Sequence, residues 1–240
     1  RMVEEITPIC YLNNPLKYSL KVYKRGDLAL SSNIMRFTLS TLMLALILGK
    51  IGSLTTRGFG AMRIKIINKL IEKENFEFAK LLREINQINE LEKLKEYIRW
   101  LVREATSTAK TIASTSEQFS INRMPIIPTL MLDKWFKLEI VGLFNDPLEA
   151  LKRIGLATLK VEWKKRKKLD FRVQGGGFHT WILGLPRNVK KTGYFINSEK
   201  GRRISSIGFS LFQLKNQYAV IMYGFQTFDW ARKLSYLIHK

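Results

Sequence analysis

Three groups of residues in this 240-residue chain have the types and spacing to do chemistry. The first lies within residues 45–63. An apolar segment runs into Gly49, Gly52, Gly58 and Gly60, with Lys50, Ser53, Thr55, Thr56, Arg57 and Arg63 among or beside them. Glycine lets backbone approach a partner closely, and successive exposed N–H groups can face an anion such as phosphate. The two arginines add attraction and directional donors. A tight turn, where a helix needs small residues to pack, is the competing reading. The second group is cationic: Lys164, Lys165, Arg166, Lys167 and Lys168, then Arg187, Lys190, Lys191, Arg202 and Arg203. Such a set can neutralise a phosphate backbone. Phe59, Trp181, Phe195 and Phe225 offer faces on which bases of a single strand can stack. The third is His179, which in a nuclease can act as a general base. With no second histidine or catalytic pair beside it, His179 reads instead as a packing or hydrogen-bonding residue between Phe178 and Thr180.

Several chemistries are excluded by pattern. Lys50 is followed by Ile51, so no GxxxxGK[ST] phosphate loop exists. The helix precedes the glycines, the reverse of the GxGxxG strand-to-helix order. Asp27, Asp170 and Asp229 are scattered and suggest no metal pair. Cys10 is the only cysteine, and His179 and His239 the only histidines, so neither a disulfide nor a thiolate or histidine-rich metal site is expected. No cofactor is expected, and a reducing cytoplasm fits this cysteine usage. The apolar run at 37–49, bracketed by Arg36 and Lys50, is too short to span a bilayer.

Charge points to the partner. The net charge is +21, from 41 basic and 20 acidic residues. Residues 1–120 hold 19 basic and 12 acidic side chains, and residues 121–240 hold 22 and 8. A polyanion, most simply nucleic acid, is the implied partner, with anionic membrane the lesser option.

The elements that must position these residues are mixed. Residues 16–23 read as a strand, 34–48 as a buried helix after the caps Ser31, Ser32 and Asn33, and 62–67 as a strand. Residues 75–104 carry apolar side chains at three- and four-residue steps and predict a long amphipathic helix, with a break near Asn86-Gln87. Residues 105–120 shift to small polar types and predict a linker or surface loop whose hydroxyls can meet phosphates. A strand over 134–141 precedes a helix that starts at Pro147, is capped by Asn145 or Asp146, and is interrupted at Gly155. Residues 188–201 read as a basic surface loop. Residues 204–214 and 217–225 form the strongest hairpin signal, and 229–238 predict a closing helix. The sum is an α+β arrangement with helices covering one sheet face, in two units meeting around residues 105–125.

Two strings of residues carry a resemblance to a known family. Leu48-Gly49-Lys50-Ile51-Gly52 followed by Thr56-Arg57-Gly58-Phe59-Gly60 resembles the glycine-rich loop of the repeat-associated mysterious proteins (RAMP superfamily) of CRISPR systems. His179-Thr180-Trp181-Ile182-Leu183-Gly184-Leu185-Pro186-Arg187, then Arg202-Arg203-Ile204-Ser205-Ser206, resembles the later domain of the family of first subunits of the Cmr (type III-B) RNA-silencing complex. The chain departs from the family at Lys50, where the second glycine of a pair is expected. The resemblance implies ferredoxin-like βαββαβ domains, here 1–120 and 121–240. It also implies a place in a ribonucleoprotein beside the sixth Cmr subunit, near the 3′ end of the guide RNA. The family's early arginine-rich helix has no counterpart, and the chain opens on Arg1, so the first domain is expected to be incomplete.

The reading is therefore a non-catalytic, cytoplasmic RNA-binding subunit in antiviral defence, with guide (CRISPR) RNA, target single-stranded RNA and other Cmr subunits as partners and no membrane. A guide-processing endoribonuclease of the same superfamily and a basic structural protein of another ribonucleoprotein are the alternatives.

Overall fold

Sequence pattern becomes helix first at residues 32–48. The computed structural model describes residues 32–49, 61, 76–113, 125, 128–158, 187–189, 192–196, 205–227 and 234–238, with backbone alone at 76–79, 187–189, 192–196 and 234–238. Helix α1 spans Ser32–Leu48 and buries Ser40, Met43, Leu44, Ile47 and Leu48 on one side. The expected break in the next helical stretch is present. Helix α2, Phe76–Arg83, tightens into a 3₁₀ turn, Glu84–Gln87, before α3, Leu91–Ile112.

Helix α3 runs eight residues past the expected end of the amphipathic pattern, through much of what reads as a linker. Its hydroxyl side chains explain the correction. Thr106 donates to the Val102 carbonyl at 2.8 Å, Thr108 to Glu104 at 2.7 Å and Thr111 to Ser107 at 3.2 Å. Threonine hydroxyls bonded back to the preceding turn are compatible with helix and leave their small bodies free to pack. Thr108 is buried. These three hydroxyls are engaged within the helix, not aimed at a phosphate. Leu94, Ile98, Leu101 and Val102 share the buried face of α3, and Tyr97 donates its hydroxyl to the Leu82 carbonyl at 3.1 Å.

Strand β1, Phe136–Phe144, is set up by a tight turn. The Met131 carbonyl accepts N–H groups from Trp135 at 3.0 Å and Phe136 at 2.9 Å. Asp133 sits at φ 63°, a left-handed conformation that asparagine and aspartate tolerate better than most, and its carboxylate meets Arg99 of α3. Helix α4, Pro147–Thr158, starts as expected: proline takes the first turn and the Asp146 carboxylate accepts the Leu148 N–H at 3.0 Å. Gly155 does not interrupt it. The residue is buried inside the helix, where a side chain is absent and packing supplies the stability.

The hairpin forms as expected from β4, Ile207–Gln213, and β5, Tyr218–Phe225, and β1 joins it to give an antiparallel sheet in the order β1-β5-β4. A bulge at Val141 shifts the β1 register between Ile140 and Gly142. An extra residue reverses which face later side chains address. Phe136 and Leu138 thus join the cluster with α1 and α3, and Phe144 joins the other cluster.

Helices cover both faces of this sheet, correcting the one-face expectation. Along β4 and β5, Phe212, Ala219 and Ile221 point to α1 and α3, while Phe209, Leu211 and Val220 point to Ala150 and Ile154 of α4. Alternation on two buried faces makes the strands apolar throughout. The first cluster draws on residues before 113 and after 136 alike, so the described helices of the first segment share a core with the described sheet of the second.

A second antiparallel sheet, in the order β2-β3-β6, contains β2, Arg187–Val189, β3, Thr192–Ile196, and β6, Leu234–Ile238. Two expectations fall here. Residues 187–189 and 192–196 are strands, not loop, and 234–238 is a strand, not the end of a helix. Five residues cannot separate a 3.6 period from a period of 2, and pairing of Tyr194 with Tyr236 and of Ile196 with Leu234 decides it. The strand expected over 16–23 and the strand over 62–67 lie outside the described residues.

Leu94 has no exposed surface, whereas Leu148 is 50% exposed. Leu94→Ala is expected to lower the unfolding free energy by about 3 kcal/mol, and Leu148→Ala by no more than about 0.5 kcal/mol. Urea unfolding of both variants checks the placement of α3 at the core.

Candidate functional site

The described residues include two of the candidate RNA-contacting or loop positions, Gly49 and Arg187. Gly49 directly follows α1. Arg187 opens β2, where its backbone pairs with Tyr194. Lys50, Ser53, Thr55, Thr56, Arg57, Arg63, Lys164–Lys168, Lys190, Lys191, Arg202, Arg203, Gly52, Gly58 and Gly60 lie outside the described residues, as does His179. Of the stacking candidates, Phe225 has its side chain described, half-buried. Its ring lies 5.0 Å from that of Phe136 and 6.2 Å from Tyr223, packed on the first core cluster, so it serves the core.

What the fold does build is a fixed start for the glycine-rich stretch. The Gly49 N–H donates to the Ala45 carbonyl at 2.8 Å, closing the last turn of α1. A Cβ at Gly49 would stand 2.0 Å from that carbonyl oxygen, which belongs to rigid helix backbone. Glycine is therefore required here sterically, and the turn reading holds at this position. The two carbonyls before it are captured by the sheet. Ser210 Oγ donates to the Ile47 carbonyl at 2.6 Å, and Tyr223 Oη donates to the Leu48 carbonyl at 3.0 Å. Terminal helix carbonyls lack partners within the helix and need them from elsewhere.

Tyr223 reaches α1 because of Gly208. The two residues are directly opposite in the β4–β5 ladder. A Cβ on Gly208 would lie 2.4 Å from Tyr223 Cζ and 2.5 Å from its Oη, so the missing side chain is the space in which the ring lies. Burial raises the Tyr223 pKa above its ordinary 10.0. Ser210 is fully buried. Neither residue was marked as functional by sequence. Ser210 stands out as the polar residue between Phe209 and Leu211, but its partner is 163 residues away, and that of Tyr223 is 175 away.

The far end of the stretch is also placed. Ala61 packs against the second cluster. The chain thus stands on one face of the sheet at Gly49 and on the other at Ala61. Strand β4 borders both faces, with Ser210 bonded to Ile47 on the first and Phe209 and Leu211 in the second cluster.

Charge is unevenly spread along the sequence. Residues 159–204 hold 13 basic against 3 acidic. Many scaffold cations face carboxylates: Lys95 reaches Glu139 at 2.8 Å, Arg153 reaches Glu149 at 2.7 Å, and Lys93 reaches Glu90 at 2.9 Å. Arg36 Nε stands 2.6 Å from Glu104, short but off the hydrogen-bonding axis, so that attraction is coulombic. Exposed pairs of this kind add little stability, but they cancel charge locally. Among the described residues, no group of three His, Cys, Asp or Glu could hold a metal ion, and no helix is long and apolar enough to cross a membrane.

Comparison of the chain with protein families, with curated proteins and with solved structures finds no match in any of the three.

One buried phenol, Tyr97, and one half-buried phenol, Tyr223, give a pH signature. Burial raises both Tyr97 and Tyr223, and the Glu84 carboxylate raises Tyr97 further. The folded chain therefore keeps these protons at pH values where the unfolded chain has released them. Their contribution to stability is whole below about pH 10 and is lost as pH rises through the folded values. In an alkaline absorbance titration, native protein should show phenols ionising later than in urea, and Tyr223→Phe should remove one late step. Coincident native and unfolded titrations would contradict the burial of both rings.

Proposed function

We propose that this chain is a non-catalytic RNA-binding subunit of a type III-B CRISPR effector complex. It contacts guide and target RNA near the 3′ end of the guide, beside the sixth Cmr subunit, in the cytoplasm. The observation that carries the reading is the charge: +21 over the chain, with 13 basic against 3 acidic residues within 159–204. A uniformly basic fold would spread its cations. Here they are concentrated next to the Gly184-Leu185-Pro186-Arg187 string and the glycine-rich stretch. Those two strings supply the family resemblance.

The arrangement of elements is compatible with a ferredoxin-like unit. Strand β1, helix α4 and the hairpin β4–β5 follow in chain order, and β1 lies beside the later hairpin strand. That is three strands and one helix of a βαββαβ unit. Helices α1 and α3 on its other face are an addition to that unit. Phosphate contacts by lysine and arginine would set the position of the RNA, and guide pairing would supply sequence choice. The division into units 1–120 and 121–240 belongs to the same proposal.

Binding of the full chain to single-stranded RNA should fall steeply with salt. Replacing Lys164, Lys165, Arg166, Lys167 and Lys168 together by alanine should cut affinity and lower the slope of log affinity against log salt by up to about 3.5. A slope near zero in the parent chain would contradict the reading. So would site-specific cutting of repeat RNA by the parent and not by His179→Ala, which is the behaviour of a guide-processing endoribonuclease.

A further inference from the structure

We propose that Trp135 is a base-stacking platform for single-stranded RNA, with Lys134 and Lys137 placed to meet the flanking phosphates. The proposal rests on the RNA-binding reading and deepens it, because it names a contact in the turn before β1.

That turn gathers cations around one indole. Asp133 takes Arg99 on its carboxylate and the Lys137 ammonium on its carbonyl oxygen. Lys134 follows in the chain, and its ammonium stands over the Trp135 ring, 5.5 Å from the centroid. Lys134 and Lys137 are exposed, and Trp135 is half-buried. The ammonium of an exposed side chain reaches the indole face, so that face borders solvent. Phe136 and Phe225 pack in the first core cluster, whereas Trp135 belongs to neither cluster. Its backbone is nonetheless fixed on both sides. The Trp135 N–H donates to the Met131 carbonyl at 3.0 Å, and its carbonyl accepts the Gln226 N–H at 2.8 Å. A platform fixed before binding has little freedom to lose when a base lands on it. Stacking of a base on an aromatic face is stronger than an exposed cation–π contact. A base can therefore take the place of the Lys134 ammonium, which is then left beside the incoming phosphate. Charge favours that phosphate. Three cations, Arg99, Lys134 and Lys137, accompany one carboxylate, Asp133. The next carboxylate along β1, Glu139, is matched by Lys95 at 2.8 Å. An aromatic face beside exposed lysines is the combination that single-strand binding without sequence choice uses.

The full chain and three variants test the site: Trp135→Leu, Trp135→Phe, and Lys134→Ala combined with Lys137→Ala. Each is titrated, at several salt concentrations, with a single-stranded RNA oligonucleotide of mixed sequence and with the same sequence as a duplex, whose bases are not free to stack. Trp135→Leu should lower single-strand affinity about five- to a hundredfold at the parental salt slope and leave duplex affinity unchanged. Trp135→Phe should recover most of that loss. The double lysine variant should lower the slope of log affinity against log salt by about 1.4. A folded Trp135→Leu with parental single-strand affinity would overturn the platform and leave RNA binding standing. Equal losses on single strand and duplex would overturn stacking as the cause. A parent chain that binds no RNA would remove both the reading and this inference. Should Trp135→Leu fail to fold, lysine acetylation of the parent chain, mapped by mass spectrometry, decides. Single-stranded RNA should protect Lys134 and Lys137, and equal reactivity with and without RNA would overturn the site.

Discussion

A helix packed against a sheet cannot leave its last carbonyls without partners, and in this chain the sheet supplies them. Ser210 and Tyr223 take the Ile47 and Leu48 oxygens, and the glycine that follows closes the turn in a space where no Cβ fits. The rest of the arrangement follows from that docking. With α1 held on β4 and β5, helix α3 lies beside it, and one core draws on Leu94, Ile98 and Leu101 from α3, Phe136 from β1 and Ile221 from β5. Burial of so much apolar surface is the dominant favourable term. The two hydroxyl bonds contribute less energy but fix direction, because hydrogen bonds are angular where apolar contact is not.

Charge is balanced locally where the described elements meet. Ion pairs such as Lys95 with Glu139 and Arg99 with Asp133 join α3 to β1 and its turn while cancelling charge on the scaffold. The remaining cations belong to residues 159–204 above all.

Local pattern made much of the fold legible. Helix α1, the break near Asn86-Gln87, the Asp146-Pro147 start of α4 and the β4–β5 hairpin all depend on short-range signals, and all are present. Three features were hidden because they depend on partners. The helical course of Thr106 to Thr111 needs hydroxyls turned back on the helix. Strand β6 needs β3 beside it. The bulge at Val141 reverses the outlook of β1 through one extra residue, which no alternation pattern announces. Of the site, Gly49 was marked by its glycine neighbours, but the reason it must be glycine lies in its contact with Ala45. Ser210 and Tyr223 look like ordinary hairpin residues until α1 is docked on them.

The central claim is the proposed one, that RNA contacts the cation-rich stretches of the sequence. Ultraviolet cross-linking of single-stranded RNA to the full chain, followed by mass-spectrometric mapping of the linked peptides, tests it most directly. The account predicts cross-links within residues 50–63 and 159–204. Cross-links confined to peptides of α2, α3 and α4, or none at all, would contradict it.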